Sequence, residues 1–159
     1  MNKKHEYKAS ILWPVAQGGS TKDYKSYSRN HIVSIEGKPT ILASSDVAFR
    51  GDMERHNPED LFLSSIASCH MLWYLHFCAT SGIEVLNYTD TAYGVMEEEK
   101  NGSGKFTKVI LNPIVTVSDI SIKEKAIKLH HKANEYCFIA NSCNFIIEHK
   151  PIIKIKEIE

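Results

Sequence analysis

The sequence predicts an α+β fold in which antiparallel strands surround one long, buried helix. Short segments rich in β-branched and aromatic residues occur near both ends of the chain and in its middle. A long apolar segment separates the first strands from the middle ones, and a second helical pattern separates the middle strands from the last. Strands and helices therefore come in blocks, which is typical of α+β proteins.

The first block predicts three strands. Residues 6–13 form one strand, and residues 31–35 and 39–43 flank the short connection Glu36-Gly37-Lys38, which suits an antiparallel hairpin.

The long helix has a clear predicted start. Asn57 suits the cap, Pro58 suits the first helical position, and Glu59 and Asp60 complement the positive end of the helix dipole. From Leu61 onward nearly every face carries apolar or small residues until Gly82. We therefore expect a helix that is surrounded by protein.

The rest of the chain predicts two long strands, a helix and two final strands. Residues 84–99 and 105–117 are separated by the turn sequence Asn-Gly-Ser-Gly at 101–104. Ser121 and Glu124 form a capping-box pattern. The helix that follows has one inward stripe, and residues 145–148 and 152–156 then have strand patterns. The members of the stripe are Ile122, Ala126, Leu129, Ala133 and Cys137.

Length, charge and cysteine content favour one globular domain over residues 1–159. The chain has 19 Lys and Arg against 19 Asp and Glu. Because no excess of positive charge is present to neutralise phosphates, we expect no nucleic-acid partner. Four cysteines are too few for a disulfide scaffold, so we interpret them as buried thiols, metal ligands or redox groups.

The location we expect is the cytoplasm. Residues 1–8 are polar and lead into no apolar stretch of signal-peptide length. The apolar residues 61–80 are interrupted by three serines and two histidines, which is unfavourable for a membrane span. We therefore expect no membrane association.

Cys69 and Cys137 are the candidate redox residues. Cys69 lies well inside the long helix, so the helix dipole activates it weakly, and apolar surroundings would raise its pKa. A reactive thiol there needs a cation, for which arginine is the best supplier. The residues alone leave both cysteines equally interpretable as small core hydrophobes.

Two motifs then point to a family. Residues 57–69 read N-P-E-D-L-F-L-S-S-I-A-S-C, which resembles the segment of the first cysteine in the OsmC/Ohr family of osmotically inducible and organic hydroperoxide resistance proteins. Residues 133–142, with A-x-x-x-C and a small polar cluster, resemble the segment of the second cysteine. The likeness extends through residues 27–31, 49–52 and 84–117.

The resemblance implies an OsmC-like fold and an intertwined homodimer with two active sites at the subunit interface. It also implies a thiol-dependent peroxidase of the antioxidant stress response. Cys69 attacks an organic hydroperoxide and becomes a sulfenic acid, and Cys137 then forms a disulfide with it. A dithiol such as reduced lipoyl groups restores the thiols. We expect no other cofactor and no metal.

The resemblance further implies an activating arginine held by the glutamate of the P-E motif, which is Glu59. Arg29 is the predicted activator by position, and Arg50 is the alternative. Each arginine is also open to interpretation as an ordinary surface residue.

Several residues depart from the family pattern or leave alternatives open. Phe138 follows Cys137 where the family usually has proline, and His70 follows Cys69 where a bulky apolar residue is common. The cysteines and histidines lack the short paired spacing of zinc modules. The alternative function is a non-catalytic redox sensor or apolar-ligand binding protein on the same fold.

Overall fold

A computed structural model describes residues 3–14 and 19–156 of the chain. It contains α-helices and short strands in three sheets, which confirms the predicted α+β class. The chain divides into two compact units, Met1–Leu61 and Phe62–Glu159.

The first unit contains a three-stranded antiparallel sheet. Its strands are β1 (Ser10–Leu12), β2 (His31–Ser34) and β3 (Ile41–Ala43), in the order β1-β2-β3. The predicted hairpin is confirmed, because β2 pairs with β3 and Gly37 adopts the positive φ of 73° that its turn requires. Strand β1 is shorter than predicted.

A tight segment follows β3. A 3-10 helix (Val47–Phe49) ends at Arg50, which has a left-handed conformation with a φ of 67°. Gly51 comes next, and a Cβ atom there would lie 1.6 Å from the carbonyl oxygen of Ser45. Only glycine fits this close approach of two backbone segments.

The long helix α1 runs from Pro58 to Thr80 as predicted. Asn57 Oδ1 accepts a hydrogen bond of 2.7 Å from the backbone N–H of Asp60, and Asp60 Oδ2 accepts one of 3.4 Å from the N–H of Asn57. These reciprocal bonds form a capping box. Gly82, with a φ of 72°, follows the last turn.

Within the chain, helix α1 is only partly covered, which corrects the expectation of complete burial. Five of its residues are buried, and an i, i+4 stripe of Ser64, Ser68, Leu72 and His76 is exposed. By length and composition alone the helix is able to cross a membrane, with a mean hydropathy of 1.3 in its apolar window. Core helices of soluble proteins meet the same criterion. The buried residues are Ile66, His70, Tyr74, Phe77 and Cys78.

The prediction of two long strands after α1 was wrong, because each is broken into two. Strands β4 (Val85–Asp90) and β7 (Pro113–Val117) pair in one sheet, and β5 (Tyr93–Glu98) and β6 (Gly104–Leu111) pair in another. At the break, Asp90 accepts a hydrogen bond of 2.8 Å from the backbone N–H of Asn112. The side chain of Asn112 donates another, of 2.9 Å, to the carbonyl oxygen of Thr91. These bonds hold the bend.

Helix α2 (Lys123–Tyr136) is present, but its predicted capping box is not. The hydroxyl of Ser121 donates to Asp119 over 2.6 Å instead, and Ile122 occupies the cap without a side-chain bond. A 3-10 turn before the helix places Ser121 one residue before the cap position, which Ile122 occupies.

The last two strands enlarge the sheets of the second unit. Strand β8 (Ile147–His149) pairs in parallel with β6, and β9 (Ile152–Ile155) pairs in parallel with β7. These two sheets are therefore mixed, whereas the sheet of the first unit is antiparallel throughout.

Helix α1 supplies side chains to both core clusters of the second unit. Tyr74, Phe77 and Cys78 pack with buried residues of β7 and α2. Ile66 packs with buried residues of β6 and β8. The helix is therefore the central element of this unit, in agreement with the sequence.

Candidate functional site

Two cysteines from different helices meet in the second unit. Cys69 lies on α1, and Cys137 is the residue at which α2 ends. The thiol of Cys137 lies close enough to that of Cys69 for the two side chains to interact, and both cysteines are free. Cys137 is buried, whereas Cys69 is partly exposed. Of the two thiols, Cys69 is thus the one that solvent and solutes reach.

The surroundings of Cys137 keep its thiol protonated. Burial, together with the neighbouring Cys69 side chain, raises the pKa of Cys137 to about 12. The backbone N–H of Ala140, 3.4 Å from Cys137 Sγ, opposes this rise only in part. At neutral pH Cys137 therefore carries its proton.

The backbone around Cys137 is fixed by a short turn. Cys137 has an extended conformation, and its carbonyl oxygen accepts a hydrogen bond of 2.9 Å from the N–H of Asn141. A 3-10 helix (Ala140–Ser142) follows. The turn holds the thiol of Cys137 against α1, because the backbone N–H groups of Ala140 and Asn141 donate hydrogen bonds back to Cys137.

Aromatic side chains flank the two thiols. Trp73 lies one helical turn after Cys69, and its ring is 5.4 Å from the rings of both Tyr136 and Phe138. Tyr136 and Phe138 are the neighbours of Cys137, and Phe138 is 68% exposed. From the sequence alone, Phe138 was only a departure from the family pattern. In the structure it extends an apolar surface beside the site.

Two buried histidines join the same pair of helices. Nε2 of His70 and Nδ1 of His130 are 3.0 Å apart, and both residues are at most 1% exposed. Both histidines are thus core residues. His130 was assigned no role from the sequence, although its spacing, four residues after Ala126 and three before Ala133, is the signal that identifies it as buried.

Further histidines lie around this pair. The ring of His149 is 5.6 Å from that of His70, and the exposed His131 is 4.7 Å from His149. Across residues 3–14 and 19–156, no three His, Cys, Asp or Glu side chains are arranged to hold a metal ion.

The other two cysteines lie outside the thiol pair. Cys78 is buried beside Tyr74, and burial raises the pKa of its thiol. Cys143 ends the 3-10 turn after Cys137 and donates a hydrogen bond of 3.3 Å to the carbonyl oxygen of Ile139.

Arg29 lies in the first unit, in the segment just before β2 instead of within a strand. Its guanidinium donates hydrogen bonds to the carbonyl oxygens of Tyr27 and Tyr24. It also packs on the ring of Tyr27, 3.8 Å from the centroid. The tyrosines, and not Glu59, hold Arg29 in this structure.

Arg29 lines a pocket of about 360 Å³ within the first unit. The pocket walls include Trp13, Tyr27 and Pro58, and are mainly apolar. Glu59 follows Pro58, and its Oε2 atom is buried without a hydrogen-bond partner in the described part of the chain. Arg50, the alternative activator, is an exposed residue at the end of the 3-10 helix.

A family model described as OsmC-like protein matches residues 51–151 of the sequence. The chain belongs to the OsmC-like protein family. The match contains both Cys69 and Cys137. No functionally curated protein matches this OsmC-like chain by sequence.

Solved structures agree with the family. An OsmC-like protein of unknown function from Vibrio cholerae is 32% identical, with a TM-score of 0.80 over 94% of this chain and 100% of that one. An organic hydroperoxide resistance protein from Elizabethkingia anophelis is 22% identical, with a TM-score of 0.70 over 98% of this chain and 100% of that one. The protein OhrB of Bacillus subtilis is 18% identical, with a TM-score of 0.61 over 94% and 98%. The two more distant likenesses show a shared fold.

Proposed function

We propose that this OsmC-like protein is a thiol-dependent peroxidase that reduces organic hydroperoxides. The observation that carries the proposal is the contact between Cys69 and Cys137, one thiol accessible and the other buried beside it. Two thiols in contact can be oxidised to a disulfide without a large movement of the backbone. Membership of the OsmC-like family supports the same reaction.

The reaction has two oxidative steps. The Cys69 thiolate attacks the peroxide, so that an S–O bond forms, the O–O bond breaks and the alkoxide leaves as an alcohol after taking a proton. The Cys137 sulfur then attacks the Cys69 sulfenic acid, which forms the S–S bond, breaks the S–O bond and releases water. The water takes up the Cys137 proton. A dithiol such as reduced lipoyl groups then returns both cysteines to thiols.

We assign the activation of Cys69 to Arg29, with Glu59 as its orienting partner. A guanidinium stabilises a thiolate and polarises a peroxide, and it stays charged in partly buried sites. Two features of the first unit support the assignment: Arg29 lines the pocket that Pro58 also lines, and the buried Oε2 of Glu59 is an acceptor without a donor.

An organic peroxide is the substrate that the surface beside the thiols favours. Leu72 and Phe138 are more than 60% exposed. The ring of Trp73, one helical turn after Cys69, is in contact with the ring of Phe138. Covering such a surface with an alkyl group gains roughly 25 cal/mol per Å². Ile66 and Phe77 are buried in the core and do not belong to this surface.

A cytoplasmic homodimer is the form in which we expect the enzyme to act. Only 28% of the most apolar segment of α1 is buried within one chain. The exposed stripe on that helix, which consists of Ser64, Ser68, Leu72 and His76, combines small side chains with one leucine and one histidine and suits close contact with a second copy. Such contact removes apolar area from water and completes the coverage of α1.

The first experiment is the mass of the intact protein after alkylation of free thiols, before and after one equivalent of cumene hydroperoxide. We expect wild type to lose two alkylatable thiols, and peptide mapping to join Cys69 to Cys137. Cys137→Ser should stop at an oxidised Cys69, and the matched control Cys143→Ser should behave as wild type. If Cys69 and Cys137 both stay alkylatable, the proposal is wrong.

Substrate preference is tested by steady-state rates on cumene hydroperoxide and on hydrogen peroxide, with dihydrolipoamide as reductant. We expect the organic peroxide to have the higher kcat/KM. A clear preference for hydrogen peroxide would contradict the role given to the apolar surface.

The high pKa of Cys137 favours one alternative, a redox sensor. A thiol whose pKa is raised to about 12 forms the attacking thiolate rarely, so the disulfide would form slowly. A sensor forms the Cys69–Cys137 disulfide once and stalls, whereas the enzyme turns over many times with dihydrolipoamide. Counting turnovers per protein distinguishes the two functions.

A further inference from the structure

We propose that the hydrogen bond between His70 and His130 is a clasp that sets the spacing of Cys69 and Cys137. We further propose that proton uptake by this pair loosens the two thiols from each other. The inference rests on the proposed Cys69–Cys137 disulfide, although it needs no peroxide chemistry. It makes both histidines positioning residues.

The clasp and the thiols join the same two helices. His70 directly follows Cys69 on α1, and His130 lies on α2 two turns before Cys137. The two helices are thus linked at two places, once by the imidazoles of His70 and His130 and once by the thiols of Cys69 and Cys137. A shift of one helix that breaks the first link also changes the second.

The two rings lie end to end. Their planes are 11° apart and their centroids 5.3 Å apart, while the facing nitrogens are only 3.0 Å apart. This combination directs the N–H of one ring at the lone pair of the other. The bond is therefore a well-aligned N–H···N hydrogen bond between neutral imidazoles.

Among the residues that the structure describes, the two histidine rings have no other hydrogen bonds to replace the one between them. His70 Nδ1 and His130 Nε2, the outer nitrogens, are buried without hydrogen-bond partners in the described part of the chain. The facing nitrogens already share one proton, so a first added proton goes to an outer nitrogen and places a charge there without a partner, and a second makes both facing nitrogens donors, which repel each other. Since the rings are buried, water does not replace the lost bond.

The groups around the clasp do not offset an added charge. Tyr74 covers the face of His130, with centroids 3.8 Å apart, and His149 of β8 faces both rings. Burial is the main cause that lowers the pKa of each clasp histidine, and the neighbouring histidines lower it further. Added protons therefore give the His70–His130 pair a positive charge that the surrounding groups do not offset. The other titratable neighbours of these groups are His131 of α2, Cys78 of α1, and Tyr88 and Asp90 of β4.

Substitutions separate the hydrogen bond from the bulk of the rings. His130→Asn keeps a polar atom near the Nδ1 position but does not titrate, and His130→Leu fills the space without a hydrogen bond. The measurement is the equilibrium constant of the Cys69–Cys137 disulfide in a dithiothreitol redox buffer at pH 7. We expect His130→Leu to lower it at least about fivefold and His130→Asn to keep it within about twofold. Equal losses in both variants would overturn the clasp.

The pH arm uses the double variant His70→Gln/His130→Asn, which keeps both cysteines and removes both titrating rings. We expect the wild-type constant to fall at least about threefold between pH 7 and 3.5, and that of the double variant to stay level. Parallel profiles would overturn proton control. Circular dichroism checks folding, and if His130→Leu is unfolded, the double variant still decides.

This test is independent of peroxide turnover. If the protein reduces no peroxide but the disulfide constant follows the clasp, the proposed function is wrong and the clasp stands. If turnover is normal while the constant ignores both histidine variants, the clasp is wrong and the peroxidase stands.

Discussion

The ring of Tyr74 lies on the ring of His130, with the centroids 3.8 Å apart and the planes 13° apart. Both side chains are fully buried, and they come from the two helices that carry the thiols. The stack closes one face of His130 to water, so this imidazole is held neutral inside an apolar core. A neutral buried histidine makes the fold sensitive to acid.

Acid should destabilise the protein before its carboxylates titrate. Burial lowers the pKa of His70 to about 4 and that of His130 to about 3, against about 6.5 in an unfolded chain. Between these values the unfolded chain binds more protons, so the free energy of unfolding is retained above pH 6.5 and falls as the pH drops towards 4. Urea denaturation at pH 7.5, 6.5, 5.5 and 4.5 measures this fall. His70→Gln/His130→Asn should show a shallower slope, and an unchanged slope would refute the assignment.

Arg29 should not be replaceable by lysine. Its guanidinium bonds two carbonyl oxygens and packs on Tyr27, which a lysine ammonium does not reproduce. We expect Arg29→Lys to lower kcat/KM for cumene hydroperoxide at least about tenfold. Arg50→Lys, at an exposed position, is the matched control and should stay within about twofold. The reverse order would make Arg50 the activator.

Removal of the Phe138 ring should affect organic substrates selectively. The ring is largely exposed and contacts Trp73 beside the thiols. We expect Phe138→Ala to lower kcat/KM for cumene hydroperoxide by about three- to tenfold, since one lost apolar contact is worth about 1 kcal/mol. The rate on hydrogen peroxide should not change. Equal losses on both peroxides would indicate a structural effect on Cys137.

Gly51 should tolerate no side chain. A Cβ atom would lie 1.6 Å from the carbonyl oxygen of Ser45, which is backbone and has nowhere to move. We expect Gly51→Ala to lower the free energy of unfolding by about 3 kcal/mol or more. Gly102→Ala is the control, because its φ of 85° is unfavourable but its surroundings are open, and we expect a loss of about 1 kcal/mol. Similar losses in chemical denaturation would contradict this.

The features that local patterns specify were predictable from the sequence. The Asn57 cap, the stop at Gly82 and the hairpin at Gly37 each depend on a few neighbouring residues. The burial of Cys137 followed from the periodicity of α2. The resemblance to the family is confirmed by the family match, and the roles of the cysteines that it implies stay predictions.

Features made by distant residues were not predictable. The bend between β4 and β5 depends on Asp90 and Asn112, which are far apart in the chain and give no local signal. The bond between His70 and His130 spans 60 positions. Ser121 had the right neighbour for a capping box, but Asp119 competes for its hydroxyl.

The parallel pairing of β8 with β6 and of β9 with β7 has a consequence for synthesis. Strands β6 and β7 are adjacent in the chain, yet their parallel partners, β8 and β9, come from a later part of the sequence, after α2. Ile153 of β9 also fills the core cluster that contains Tyr74. While the nascent chain emerges, this core stays open until β9 has left the ribosome. Folding of the second unit is therefore slow in its final stage, as expected when long loops must close.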